Sequence, residues 1–360
     1  MTVQSKFKRV ISRILKGIGV TLLIAIVAGV IYEEVGRRRD LKRLPQIGQS
    51  VDIGGRNMNI YCSGEGNPAV ILDPPGNEPG YHWSHIQPEI AKFTRACWYD
   101  RAGVGWSDPG PYPRTSVEMA KDLHELLNRA GVPAPYVLVG ASSGGTNARV
   151  YNGLFTSKVA GMVLVDAAHE DEMTRGPAYA RGYVFPRYLW YPLHLVAQGS
   201  TRIGLLRLLA PSAHLPEEPS QRTRQQINRA LGQQPKSIAA TLGNAAWPDS
   251  LEQARSAAGL GDRPLIVLTA GIASIPRLPG EPPMDPEMMK ERWAYHQVWM
   301  HEMQAQFVKL STRGRQVIVK DSRHAISDEA PEAVINAVRE VVTLVHEDRS
   351  KSSATQTVKN

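Results

Sequence analysis

The chain has 360 residues, 42% of them hydrophobic and 21% charged, with a formal net charge of +8. That length accommodates one large domain with an insertion, or two domains, and the composition is that of an ordinary globular protein. Much of the positive excess falls before residue 45, in Lys6, Lys8, Arg9, Arg13 and Lys16 and then Arg37, Arg38, Arg39, Lys42 and Arg43. It therefore builds no basic face on the main body, and no nucleic-acid-binding motif accompanies it.

The first predicted element is apolar. Residues 17–32, GIGVTLLIAIVAGVIY, carry no charge, and VISRILK before them extends the apolar character from residue 10. The uncharged part is short against the ~20 residues of a spanning helix, but Lys16 can snorkel. A basic start and an apolar middle also fit a cleaved secretory signal, and an interfacial helix is a third reading. Ala25, Ala28 and Gly29 lie inside the run rather than after it, which favours a retained signal anchor through residues 10–32. Residues 1–48 are read as this segment plus a basic linker. The basic amino terminus favours that end inside the cell and the large domain outside, whether anchored or secreted.

SVDIGGRNMNIYC (50–62) alternates around a Gly-Gly turn and predicts a hairpin. AVILD (69–73) is a short apolar strand closed by Pro74 and Pro75. A short helix over 84–93 and a strand at RACWYD (95–100) follow, and then the Gly- and Pro-rich loop RAGVGWSDPG. After Thr115, apolar residues recur at Val117, Ala120, Leu123, Leu126 and Leu127, a helical period that Gly131 ends. YVLVG is the next strand, 144–156 a helix and VAGMVLVD (159–166) a strand. Strands apolar along their whole length, alternating with helices, predict a parallel sheet covered on both faces.

Residues 170–255 break the alternation. They hold no long apolar strand and predict an inserted helical cap. PLIVLTAG (264–271) resumes the sheet, a helix spans about 290–310, GRQVIVKD (314–321) is the last strand and 331–346 the last helix. The tail, 348–360, is polar and expected to be disordered. The core thus comprises 49–169 and 256–347.

Gly140-Ala141-Ser142-Ser143-Gly144 fits G-x-S-x-G between a strand and a helix. Small residues at 140 and 144 permit a sharp turn that lifts Ser142 to the top of the sheet. Ser143 follows it, so its backbone N–H, not its hydroxyl, is placed to stabilise an oxyanion. A serine needs a base, and His324 lies in the loop after the last strand. The histidine needs a carboxylate. The loop after strand seven holds none before Glu281, whereas Asp166 ends strand six, with Glu170 and Asp171 as rivals. A second oxyanion donor must come from Gly76 or Asn77, because Pro74 and Pro75 have no N–H.

With these residues assembled, residues 50–346 resemble the α/β-hydrolase fold superfamily of serine hydrolases, within its esterase-, peptidase- and haloperoxidase-like group. YDRAGVGWSDPGP is similar to the superfamily's loop after the fourth strand, and YVLVGASSGG to its nucleophile elbow. The resemblance implies Ser142 as nucleophile, His324 as base and Asp166 as acid. DPPGN departs from the common histidine-glycine oxyanion loop, and the acid follows the pattern of members that place it after strand six. The resemblance also makes the second and fourth strands neighbours, which would bring Cys62 beside Cys97 as a disulfide pair in an exported domain.

These expectations converge on an acyl-enzyme hydrolase for small or medium carboxylic esters. Amide or amino-terminal peptide cleavage and acyl transfer are the alternatives, and a non-catalytic membrane-anchored binding protein is the alternative of another class. Tyr183, Phe185, Tyr188, Trp190 and Tyr191 are candidates for a substrate pocket or for cap packing. Trp293, Tyr295, Trp299 and Met303 are candidates for core. No metal-ligand cluster stands out, and no cofactor is implied.

Overall fold

A computed structural model describes residues 3–176, 187–209, 215–242, 246–273 and 285–357. Eight strands form one sheet: β1 (Gln49–Asp52), β2 (Asn57–Ser63), β3 (Ala69–Asp73), β4 (Ala96–Tyr99), β5 (Tyr136–Ala141), β6 (Val159–Val165), β7 (Leu265–Ala270) and β8 (Gly314–Val319). Their order is β1-β2-β4-β3-β5-β6-β7-β8. The pairs β1–β2 and β2–β4 are antiparallel, and every pairing from β4 onward is parallel.

The unbroken apolar runs follow from burial on both faces. In β5, Tyr136 and Leu138 face a core shared with Leu126, Tyr151 and Phe307. Val137 and Val139, one residue out of phase, face a second core with Trp83, Ile86 and Val338. The helix Ser116–Arg129 turns Ala120, Leu123, Leu126 and Leu127 inward, as its period predicts. Truncating the fully buried Leu126 to alanine should cost about 2–5 kcal/mol. Cys62 and Cys97 are register partners on β2 and β4, with sulfur atoms 2.01 Å apart.

Between β6 and β7 the described residues are helical, with the longest element at Arg187–Arg202 and shorter ones from Leu205 to Arg255. The region expected at 84–93 is a 3₁₀ turn, Gly80–His85, followed by one α-turn, Gln87–Ile90, with Pro88 at its start.

Two expectations are corrected. The basic stretch after residue 33 is not a linker: one helix runs from Val3 to Arg43. Glu34 pairs with Arg37 and Arg38 one turn on, which supports the helix there. The carboxyl-terminal tail is not disordered from 348, because the last helix continues from Pro331 to Thr357. Arg313 bonds Asp348 at 2.6 Å, and Ser350 Oγ donates to the His346 carbonyl at 3.0 Å, so the polar extension has its own ties.

Candidate active site

Backbone geometry places the site before any side chain does. Ser142 sits between β5 and the helix Ser143–Leu154 with φ 49° and ψ −119°, a left-handed conformation unfavourable for a residue with a side chain. The turn closes because its neighbours are small. A Cβ on Gly140 would lie 2.4 Å from the Gly144 carbonyl oxygen, and one on Gly144 would lie 2.5 Å from the Asp73 carbonyl oxygen. Ser142 N–H donates to Val165 O at 3.1 Å, and its carbonyl accepts from Ala168 N–H at 3.0 Å. These bonds tie the elbow to the end of β6.

Asp166 follows β6 directly, also at positive φ (42°), and its N–H donates to Leu268 O of β7 at 2.8 Å. The side chain is 2% exposed and fully engaged. Its Oδ1 accepts from Ala270 N–H at 3.1 Å and from Trp299 Nε1–H at 3.0 Å, while Oδ2 lies 2.6 Å from His324 Nδ1. The other ring nitrogen, Nε2, lies 3.1 Å from Ser142 Oγ. Ser142, His324 and Asp166 are thus in one hydrogen-bonded line across the carboxyl ends of β5, β6 and β8.

Partial desolvation disfavours a charged His324. The hydrogen bond and charge of Asp166, with the more distant charge of Glu172, outweigh it and raise the imidazole above its ordinary value. Glu172 is itself pushed up by burial, and the bond from Trp247 Nε1–H at 3.0 Å works against that rise.

The rival acids are committed elsewhere. Glu170 accepts two bonds from the buried Arg149 at 2.6 and 3.0 Å, and Asp171 accepts from Arg255 at 2.7 Å. Glu281 lies outside the described residues, as do Tyr183 and Phe185. Tyr188, Trp190 and Tyr191 fall on the helix Arg187–Arg202. Of the candidates on the helix after β7, Trp293 is exposed, and Met303 is fully buried as core.

The expected oxyanion loop lies over the elbow, with Ser143 Oγ 3.4 Å from the Gly76 carbonyl oxygen. As the first residue of its helix, Ser143 has an N–H with no acceptor within that helix. Gly76 adopts φ +49°. Arg101 holds the loop; it lies in the YDRAGVGWSDPGP motif, which gave it no role in the site. Its Nη2 donates to the carbonyls of Pro74 at 2.8 Å and Gly76 at 2.5 Å, and its Nε lies 3.7 Å from Asp73 Oδ1. Burial pushes the Asp73 carboxyl up, against the pull of Arg101 and of Tyr99, whose hydroxyl donates at 2.9 Å. A pocket of about 20 Å³ opens beside Ser143, lined by Gly76, Arg101, Arg114, Asn147 and Trp247 among others.

Trp299 was also missed as a site residue. It begins a π-helical turn, Trp299–Met303, that interrupts the helix after β7. The widened turn carries its indole N–H onto Asp166.

A family model described as alpha/beta hydrolase fold matches residues 68–198. Solved structures with the same architecture cover most of the chain. An esterase from Thermogutta terrifontis is 22% identical with TM-score 0.53, over 83% of this chain and 98% of that one. The enol-lactonase from Burkholderia xenovorans LB400 is 16% identical with TM-score 0.53, over 82% and 100%. The epoxide hydrolase CorEH is 16% identical with TM-score 0.54, over 82% of this chain and 98% of that one.

The chain has the α/β-hydrolase fold.

Among curated proteins, 135 residues of the chain are 33% identical to efuK of Hormonema carpetanum, named a probable transporter, covering 35% of this chain and 19% of that protein. An uncharacterised Schizosaccharomyces pombe protein is 34% identical over 131 residues, 34% of this chain and 24% of its own length. The chain thus spans about a fifth to a quarter of the length of these relatives.

Proposed function

We propose that this α/β-hydrolase fold protein is a serine hydrolase that works through an acyl-enzyme on carboxylic esters of small or medium size. The observation that carries the reading is the line from Ser142 Oγ through His324 to the buried Asp166, at 3.1 and 2.6 Å. Ser142 Oγ attacks the acyl carbon, and His324 Nε2 takes the hydroxyl proton. Asp166 accepts the Nδ1–H bond, fixes the tautomer and stabilises the imidazolium. The N–H of Ser143, with a second N–H from the Gly76–Asn77 segment, receives the oxyanion. The tetrahedral intermediate collapses, the C–O bond to the alcohol breaks, and His324 returns its proton to the leaving oxygen. Water then gives a proton to His324, attacks the acyl carbon and releases the acid with Ser142 restored.

The helix Val3–Arg43 serves as a retained anchor. It is the one described helix long and apolar enough to cross a membrane, with mean hydropathy 2.5 in its best window and none of that window buried. The catalytic domain, built from 49–169 and 256–347 with the insertion as cap, lies outside the cytoplasm in this reading.

Full-length protein in detergent, treated with a fluorophosphonate probe and assayed on ester, aminoacyl-arylamide and acyl-acceptor panels, tests the function. Probe labelling at Ser142 with ester turnover is expected. Folded protein that neither labels nor turns over any substrate removes the enzymatic reading, and turnover confined to arylamides or acceptors reassigns the substrate class.

A further inference from the structure

The helix Val3–Arg43 is packed against the cap. A Cβ on Gly29 would lie 2.2 Å from the Ile203 carbonyl oxygen, so the two backbones approach as only glycine permits. Farther along, Arg207 donates to Glu33 at 2.8 and 3.0 Å and to Asp40 at 2.8 Å. Lys16 and Glu33 bound the uncharged stretch. At ~1.5 Å per residue it is about 25 Å long, close to the ~30 Å of a bilayer's hydrocarbon core. Ile203 and Arg207 therefore meet the helix where it would leave the hydrocarbon.

The cap also turns apolar side chains outward. Leu208 and Leu209 are each 70% exposed, and Val196 is 65% exposed. On the helix Arg187–Arg202, exposed Leu189, Leu193 and Val196 follow the i, i+4, i+7 spacing of one face. A helix on a soluble body turns such a stripe to the core. Here the buried residues on the same helix, among those whose side chains are described, are His194 and Ala197. Arg37, Arg38, Arg39, Lys42 and Arg43 are exposed just past the apolar span, at the level of phosphate-bearing headgroups.

We propose that the cap face formed by Leu189, Leu193, Val196, Leu208 and Leu209 rests in the headgroup–acyl boundary of an anionic phospholipid bilayer, beside the anchor. Lipid is the occupant because the face continues the surface of a helix whose own apolar length calls for a bilayer, and the arginine clamp holds the two together at the membrane edge. An apolar ester dissolved in the membrane would then meet the cap directly. The proposal rests on the anchor being retained, and it is read without any turnover.

Leu208→Cys and Val196→Cys in the full chain, each labelled with a polarity-sensitive fluorophore, test it in vesicles of phosphatidylcholine and phosphatidylglycerol. Glu125→Cys, on the exposed face of the helix Ser116–Arg129, is the control. Shallow doxyl-labelled lipid should quench positions 208 and 196 at least twofold and leave 125 unchanged. Labels at 208 and 196 as open to aqueous iodide as 125, in protein retained by the vesicles, overturn the proposal. So does pyrene excimer emission at 208 that fades as the protein is diluted among lipid, which would assign the face to a second copy. Intact mass is measured alongside, and a chain beginning after residue 28 removes the anchor and the proposal with it.

Discussion

The carboxyl end of the sheet and the outer face of the cap treat their side chains in opposite ways. At the sheet end, buried polar groups form the hydrogen bonds that fix the site. Asp166 accepts from Ala270 N–H and Trp299, Glu170 from Arg149, and Arg101 Nη2 donates to the Gly76 loop. On the cap, apolar leucines stand exposed with no protein surface across from them among the described residues. Unanswered buried polar groups cost more than exposed leucines, so the first region tolerates little change and the second tolerates much in water. Two functions are consistent with that contrast: fixed geometry for chemistry, and a surface that awaits another solvent.

The contrast breaks most sharply at Ser142. Ser142→Ala should lower kcat/KM by roughly 10⁴-fold or more and abolish fluorophosphonate labelling, with the fold intact by circular dichroism. Ser143→Ala should keep the label, because the proposed role of Ser143 belongs to its backbone. Labelling lost only in the second variant would exchange the two serines.

Asp166 and Glu170 separate chemistry from stability within one loop. Asp166→Asn leaves the wrong imidazole tautomer and should cost about 10³–10⁴-fold in kcat. Glu170→Gln should keep most turnover but lose stability. Burial opposes the Glu170 charge, yet Arg149 overcomes it and lowers its pKa, so the variant leaves Arg149 with a weakened partner. Breaking such a pair costs about 3–5 kcal/mol, read as a drop in the denaturation midpoint. A folded Asp166→Asn enzyme within tenfold of wild type would return the role to other carboxylates.

Cys62 and Cys97 offer a test away from the site. Alkylation of non-reduced exported protein should find neither thiol free, and replacing both with alanine should cost about 2–4 kcal/mol of stability. Two free thiols would remove the disulfide. Trp299→Phe should cost less, on the order of tenfold in kcat, since Asp166 keeps its bonds from Ala270 and His324.

Much of the sheet was readable because each strand is a run of apolar residues, and burial on both faces demands such runs. That Ser142, His324 and Asp166 come within hydrogen-bond reach was readable from their positions after β5, β8 and β6. Arg101, Trp299, Glu172 and Trp247 were not, for a physical reason. Each acts by reaching a group far away in sequence, Trp299 across 133 residues and Arg101 across 25 to 27, and no local pattern encodes that reach. A π-turn has no sequence signature comparable to G-x-S-x-G, so the indole's aim was hidden. The two helix ends were misjudged because polarity alone was read as linker or tail, while ion pairs one turn apart and across to Arg313 hold them helical.

The smallest expected effect concerns pH. In the proposed mechanism His324 acts as a base only when neutral, so its pKa would set the acid limb of kcat/KM. Asp166 and Glu172 stabilise the imidazolium, and they overcome the opposing effect of burial. The limb should therefore fall above the ordinary histidine value of 6.5. Removing either negative charge weakens the imidazolium and lets the ring deprotonate at lower pH, so the limb moves down. Glu172 contributes through its charge alone, whereas Asp166 contributes through a 2.6 Å hydrogen bond as well. Glu172→Gln should thus shift the limb downward less than Asp166→Asn, with little loss of the plateau rate. Trp247→Phe should act in the same direction, because without the indole bond burial favours the neutral Glu172 and its support of His324 weakens. The pH profile of kcat/KM on one activated ester checks all three. An upward shift in Glu172→Gln would show that this carboxyl is already neutral beside His324 or acts on it by another route.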